Sequence, residues 1–464
     1  MSNLDIAIIV IFLFGFIAVG LSQFTKNKTS NDFFLGGRDL PWQISMFSIV
    51  ATETSVLTFI SVPGIAYRGD WTFLQLSLGY ILGRILVSYF LLPIYYKEGV
   101  VSIYEVLGEK YGHIVQKTAS GLFLCTRIFA DGIRYLATAV IIQVITGWNI
   151  PIAVCVIGGC TLIYSITGGI KTIIWIDALQ FLIYLSGGII VISLVVASFD
   201  ISFIYSQLFE SSKIKIFNFS GNPIFTSMNF YSAIIGGTIF SFASHGTDYM
   251  MVQRCLSCKD LKSAKKAMIG SGIFVFFQFG LFLLAGSLIF IYFEGMEIQK
   301  DREFSTFILE VIPSGLRGLL LAGVLSAAMS TLSSSMNSLA SSTIIDWMKV
   351  KSNQISKMRV VSVFWGIVLM GIALMFDESD KAIVIVGFRI ASFTYGGLLV
   401  LFLCLKTDLI QNQISILLGL ITSIFTVFLL DKYGIAWTWF VLISALIGFI
   451  IAIIVEKIKA KLSV

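Results

Sequence analysis

The chain has 464 residues, 57% of them hydrophobic and only 12% charged, with a formal net charge of +6. Soluble domains carry about 25% charged residues, so this composition excludes a large water-soluble globular core and points to an integral membrane protein. The positive charge is scattered through short loops, and no nucleic-acid module or long basic arm is visible, so nucleic acid is set aside as a partner.

Apolar runs of spanning length fall at 5–23, 41–66, 72–96, 114–146, 150–167, 173–198, 229–250, 265–293, 305–347, 358–376, 382–404, 412–430 and 435–455. They predict an all-α chain of about thirteen transmembrane helices. The first run lacks a basic leader and a small-residue cleavage site, so it reads as a retained helix rather than a signal peptide. The run at 305–347 is too long for one straight span and predicts an amphipathic interfacial turn before Pro313. Six cysteines are dispersed, and Cys255-x-x-Cys258 reads as a loop coincidence, since no second cysteine pair is near.

Loop charge predicts the orientation. One alternating set of loops holds Lys26, Lys28, Arg38, Lys97, Lys110, Lys171, Arg254, Lys259, Lys262, Lys265, Lys266, Lys349, Lys351, Lys357, Arg359, Lys406, Lys457, Lys459 and Lys461. The opposite loops hold only Arg68, Lys213, Lys215, Lys300, Arg302, Lys381 and Lys432. This bias puts the first set in the cytoplasm, with the N-terminus outside and the C-terminus inside. The expected location is a plasma membrane, the inner membrane of a bacterium. The second to sixth helices (41–198) and the seventh to eleventh (229–404) form two groups of five, and an odd number inverts the second group relative to the first. Residues 1–40 then form a peripheral helix and cytoplasmic loop, 199–228 an extracellular loop, and 405–464 two peripheral helices.

Polar residues gather at a few places inside these spans. Ala51-Thr-Glu-Thr-Ser-Val-Leu-Thr58, followed by Pro63-Gly64, interrupts the second helix. Either the helix unwinds and frees carbonyls for a cation or solute, or these residues form a polar packing seam. Glu53 at bilayer depth is expected only against protein or a water cavity. In the fourth helix Arg127, Asp131 and Arg134 share one face at i, i+4 and i+7. Asp131 can neutralise one guanidinium and leave a positive charge for an acidic or polar solute, or Glu53 can neutralise that charge too. The sixth helix carries Trp175-Ile-Asp177-Ala-Leu-Gln180 after Gly168-Gly169. The Asp177 carboxylate must be protonated, hold a cation or pair with an arginine.

The seventh helix carries Gly236-Gly237 and Ser241-Phe-Ala-Ser-His245-Gly-Thr-Asp248. His245 reads as a solute contact or as a buried hydrogen-bonding partner. Arg84 and Arg389 are further intramembrane charges without an assignable partner, and Gln75 and Gln278 can line a cavity. The densest cluster is Ser326-Ala-Ala-Met-Ser-Thr-Leu-Ser-Ser-Ser-Met-Asn-Ser338. At ~100° per residue, Ser330, Thr331, Ser334 and Ser338 share about a third of the helix circumference, with Ser333 beside them. Small oxygen-bearing side chains suit a desolvated hard cation such as Na⁺.

These segments resemble the sodium:solute symporter family, which includes sodium–glucose, sodium–iodide, monocarboxylate, proline and sialic acid transporters. The matching pieces are Asp32-Phe-Phe-Leu-Gly-Gly-Arg-Asp-Leu-Pro-Trp42, the 51–64 stretch, Gly168 to Gln180, Gln253-Arg254, and Leu320 to Thr331 with Asn337-Ser338. The resemblance implies a leucine-transporter-like fold of two inverted five-helix repeats, with one helix added before and two after. It implies a first sodium site at the carbonyls of Ala51, Thr54 and Ala327 and the hydroxyls of Ser330 and Thr331. A second sodium maps onto Asp177, Ser330, Ser333 and Ser334. The solute pocket draws on Glu53, Ser55, Thr58, Gln75, Arg127 or Arg134, Ser241, Ser244 and His245. Two departures from the sugar-carrying members, Ser244 in place of a gating aromatic and an acidic Glu53, weigh against glucose or galactose.

The expectation is a carrier that couples inward Na⁺ flux, one ion or two, to uptake of a small anionic or polar organic solute. It works as a monomer, with solute and membrane lipid as partners. A proton-coupled carrier using Asp177 or Glu53 is the alternative and a membrane sensor the remote one. No paired His/Glu metal motif or nucleophile–base pair supports an enzyme.

Overall fold

The computed structural model describes residues 2–24, 27–54, 56–351, 353–375 and 383–462, and the regular structure among them is helical. α1 (Asn3–Ser22) is followed by the short α2 (Ser30–Leu35) and then by α3 (Trp42–Glu53) and α4 (Val56–Arg68). α5 (Leu74–Leu86) runs through a π turn into α6 (Leu92–Glu98), and α7 (Glu105–Tyr111) leads to α8 (His113–Thr146). α9 (Ile150–Ser198), α10 (Ile201–Glu210), α11 (Phe230–Gly246), α12 (Tyr249–Leu256) and α13 (Leu261–Tyr292) follow. The last third holds α14 (Glu303–Glu310), α15 (Leu316–Ser342), α16 (Ile355–Ala373), α17 (Ile383–Thr407), α18 (Gln413–Lys432) and α19 (Phe440–Leu462).

Among the described residues, each of the thirteen apolar runs falls on one or more helices, the run at 305–347 being broken between α14 and α15. By length and composition, eight helices among the described residues can each cross a membrane, or nine if α3 and α4 are one bent span. The 49 residues of α9 are enough for two crossings, since a bilayer core needs about 20. The chain turns between them at Gly169, whose φ of 65° and ψ of −173° lie where essentially only glycine is found. A Cβ there would also sit 3.0 Å from the Phe33 carbonyl oxygen. Gly169→Ala is expected to cost about 1–3 kcal/mol, read as a lower melting temperature of the purified protein. An unchanged melting temperature would contradict this account of the turn.

α15 is the central element. Of its best spanning window 89% is buried, against 17% for α1. Its alanines, serines and glycines let α9, α8, α1, α16 and α3 approach closely. At one end the buried Asp5 of α1 accepts the backbone N–H groups of Gly315 (2.8 Å) and Gly318 (2.9 Å), placing a carboxylate on the N-terminus of α15. A short helix, α14, precedes Pro313, where the sequence predicts a turn that interrupts the long apolar run. α5 and α11 are pressed together through Gly79, Gly83 and Gly237; a Cβ on Gly83 would lie 2.3 Å from the Thr238 carbonyl oxygen.

The first member of each five-helix group is the interrupted one. α3 and α4 meet at a 62° bend, and α11 stops at Gly246 before α12 starts at Tyr249. Interruptions at matching places in two halves are the strongest structural pointer to a binding site in a carrier of this kind.

Candidate ion and solute site

α3 ends because Thr54 leaves the helical region, at φ −89° and ψ 69°. The last carbonyls of a helix have no partner in the next turn, and they carry the negative end of its dipole. Val50 O is taken by the Thr54 N–H at 2.9 Å and by its hydroxyl. Ala51, Thr52 and Glu53 form the last turn of α3, where the helix ends. This end packs on α15, where Thr52 Oγ1 lies 3.3 Å from Ser334 Oγ.

The five residues expected at the first ion site, Ala51, Thr54, Ala327, Ser330 and Thr331, are all buried on these two elements. Thr331 Oγ1 stands 3.3 Å from Ala327 O. This is the usual bond of a threonine hydroxyl to the carbonyl four residues earlier in its own helix.

Of the four residues of the second expected ion site, Asp177, Ser330 and Ser334 gather with a further residue, Arg254, while Ser333 bonds within its own helix. Asp177 accepts Ser330 Oγ at 2.6 Å on one oxygen and Ser48 Oγ at 2.7 Å on the other. Arg254 Nη2 lies 3.4 Å from the same second oxygen and bonds Ser334 Oγ, while its Nε donates to Ser48 Oγ at 3.0 Å. Ser333 turns back onto the Ser330 carbonyl at 3.1 Å. Arg254 and Asp177 are both fully buried. This corrects the placement of Arg254 among the cytoplasmic loop charges: α12 carries it into the protein beside Asp177. The reason is that the chain re-forms a helix after its break, with Asp248 accepting the Met250 N–H at 3.0 Å as N-cap, so the buried segment outlasts the apolar run.

The remaining buried charges are paired differently from the sequence expectation. Glu53 binds Arg84, whose partner was unassigned, with His245 Nε2 at 3.6 Å and Arg84 Nη1 donating to Ser271 Oγ at 2.6 Å. Ser244 Oγ lies 2.9 Å from His245 Nδ1. Arg127 is held by Asp131 at 3.3 Å, by Asp248, and by the Tyr395 hydroxyl, which donates to Asp248 at 2.9 Å. Asp131 also accepts Ser335 from α15.

Of the two readings of the Arg127–Asp131–Arg134 face, a charge left for the solute or neutralisation by Glu53, the described side chains show a third arrangement. Asp248 supplies a second carboxylate, and Arg84 already occupies Glu53. Among the described side chains of this cluster, Arg84, Arg127, Arg134 and Arg254 face Glu53, Asp131, Asp177 and Asp248, four charges of each sign. Arg134 is the loosest of these. It lies 3.6 Å from Asp131, its Nε and Nη1 have no hydrogen-bond partner, and it lines a small pocket with Thr331, Ala328 and Asp131.

Other expected solute contacts are scattered. Gln75 bonds the segment between α10 and α11 and its own loop, donating to the Thr72 (3.0 Å) and Met228 (3.1 Å) carbonyls and accepting the Asn218 N–H at 3.1 Å. Ser241 donates to the Tyr80 carbonyl at 3.2 Å. Thr58 is buried on α4, while Ser55 and the Arg389 side chain lie outside the described residues. Cys255 and Cys258 are free thiols facing the Ala264 and Arg254 carbonyls. Sequence reasoning missed Ser48, Ser271 and Tyr395, which no local pattern marks, and gave no role to Ser335 within the serine cluster of α15.

A family model of the sodium:solute symporter family matches residues 33–405. The chain belongs to the sodium:solute symporter family. It is 28% identical to the human sodium-coupled monocarboxylate transporter 2 over 353 residues, covering 72% of this chain and 56% of the relative. It is 26% identical to the human sodium/iodide cotransporter over 400 residues, covering 82% of this chain and 61% of the relative. The chain therefore spans little more than half the length of these curated relatives. Among solved structures, a Na⁺-coupled sialic acid symporter in its substrate-bound outward-open state superposes with a TM-score of 0.89 at 24% identity, covering 98% of each chain. The likeness establishes the fold as that of this leucine-transporter-like symporter.

Proposed function

We propose that this protein is a Na⁺-coupled symporter that takes up a small monoanionic organic solute by alternating access. The observation that carries the reading is the broken end of α3 seated on the buried hydroxyl face of α15. Sodium bound by Ala51, Thr54, Ala327, Ser330 and Thr331 clamps two helices that otherwise meet through few polar contacts. That is how an ion can favour one conformation, since only differential affinity shifts an equilibrium. The two five-helix groups, 41–198 and 229–404, move against each other around it.

The charge balance supports the monoanion. The cluster is neutral without ligands, so one Na⁺ leaves a single positive charge that one anionic group neutralises. Arg134, with free N–H groups beside Thr331, is the proposed partner of that group. The relatives named for monocarboxylates, iodide and sialic acid carry solutes of the same charge class. Arg254 beside Asp177 favours one sodium over two in this conformation. One Na⁺ and one monoanion crossing together move no net charge, so the membrane potential contributes nothing and a tenfold sodium gradient supplies about 1.4 kcal/mol. The proton-coupled reading is weaker because both of its carboxylates, Glu53 and Asp177, are committed to guanidinium groups. On the loop-charge bias we further propose an external N-terminus and a cytoplasmic C-terminus; a bacterial inner membrane and function as a monomer complete the proposal.

In proteoliposomes, uptake of monocarboxylates should collapse when Na⁺ is replaced by K⁺ or choline. Sodium activation should show a Hill coefficient of about one. Ser330→Ala should abolish uptake at Na⁺ concentrations that saturate the native protein. Uptake that follows a pH gradient and ignores sodium would overturn the proposal.

A further inference from the structure

α13 begins with Lys262, Lys265 and Lys266, spaced so that all three share one face of its first two turns. Beside them stand Trp42, the first residue of α3, and Tyr89, in the π turn that follows α5. These elements enclose an open groove of about 730 Å³ whose lining includes the three lysines, Trp42, Tyr89 and Gly270. Lys265 Nζ lies 4.4 Å above the Tyr89 ring and Lys266 Nζ 5.7 Å from the Trp42 ring. No carboxylate lines the groove, and no described residue forms an ion pair with any of the three lysines. The nearest acid in the chain, Asp260, is engaged as the N-cap of α13, accepting the Ser263 N–H at 2.7 Å.

Three uncompensated ammonium groups over two aromatic rings call for an anion, and the surroundings identify its source. Trp and Tyr side chains collect at the level of lipid headgroups. From Lys266 the same face of α13 continues through Gly270 to Ile273 and Phe277, both exposed, and Leu82 is exposed on the neighbouring α5. A free phosphate has no use for that apolar stripe, whereas an acyl chain does. We propose that this groove binds the phosphodiester headgroup of an anionic phospholipid, with its acyl chains along Ile273 and Phe277. Basic pockets between membrane helices suit such headgroups. The lipid spans α3, α5 and α13, so it braces the intact end of the helix whose other end is broken at the ion site.

The test uses the full-length protein in neutral detergent with added phosphatidylglycerol, phosphatidylcholine or inorganic phosphate. Phosphatidylglycerol alone should raise the melting temperature, and native mass spectrometry should count bound phosphatidylglycerol. In Lys262→Gln/Lys265→Gln/Lys266→Gln protein the bound fraction should fall about tenfold or more and the thermal shift should vanish. The matching triple Lys→Arg variant, which keeps the charge, should retain both. The proposal fails if phosphatidylglycerol does not stabilise the native chain, if inorganic phosphate does so equally, or if the Gln variant binds as much lipid as the native one.

Discussion

In Arg254→Gln protein, sodium should raise the melting temperature well beyond its effect on the native chain, and potassium should not. Arg254 and Asp177 are both without solvent exposure, and the guanidinium bonds Ser48 and Ser334, residues that also surround the carboxylate. Removing one partner of a buried pair leaves the other charge uncompensated, at about 3–5 kcal/mol. In Arg254→Gln the stranded charge is a carboxylate beside the Ser330 and Ser48 hydroxyls, with Ser334 on the site that Arg254 vacates, an arrangement that a small cation can neutralise. An ion present at 100 times its dissociation constant restores about 2.7 kcal/mol, most of that loss. Asp177→Asn strands a cation instead, and no alkali ion repairs it. The double variant Asp177→Asn/Arg254→Gln carries neither charge and should melt near the native temperature in either salt. Equal sodium responses in the native and Arg254→Gln proteins would show that Arg254 does not stand in for an ion there.

Glu53→Gln should lower stability by a similar amount and uncouple uptake from sodium even where the protein folds. Arg84 is fully buried, and its other side-chain contact is one neutral hydroxyl, Ser271. Without Glu53 it keeps a full charge in a low-dielectric setting, again about 3–5 kcal/mol. Glu53 is also the last residue of α3, so its bond to α5 holds the helix end whose carbonyls are proposed to bind sodium. Arg84→Met alone strands the carboxylate and should be as damaging. Glu53→Gln/Arg84→Met should recover most of the stability and little of the uptake, because packing can replace a buried pair energetically while the helix end loses its tether. Recovery of both would mean that the pair has no part in placing the α3 end.

The helices were legible from the residues alone because membrane burial writes itself into sequence one residue at a time. A helix in lipid satisfies its own backbone, so twenty apolar residues predict a span without knowledge of neighbours. The break in the second helix showed for the same reason: Thr52 to Ser55 put polar side chains where lipid tolerates none. The hydroxyl arc of α15 followed from helical periodicity, and its burial confirms that it faces protein. What remained hidden were the partners of the charges. Asp177 finds Arg254 across 77 positions and Arg127 finds Asp248 across 121, since those pairs meet only when broken helices from both halves fold together. Arg254 looked like a loop residue because α12 resumes after the α11 break, and hydropathy cannot distinguish a buried guanidinium from a solvated one. Local free energies of transfer settle where a helix runs. Which charge neutralises which is a long-range electrostatic outcome, fixed once packing has excluded water and brought distant residues within reach.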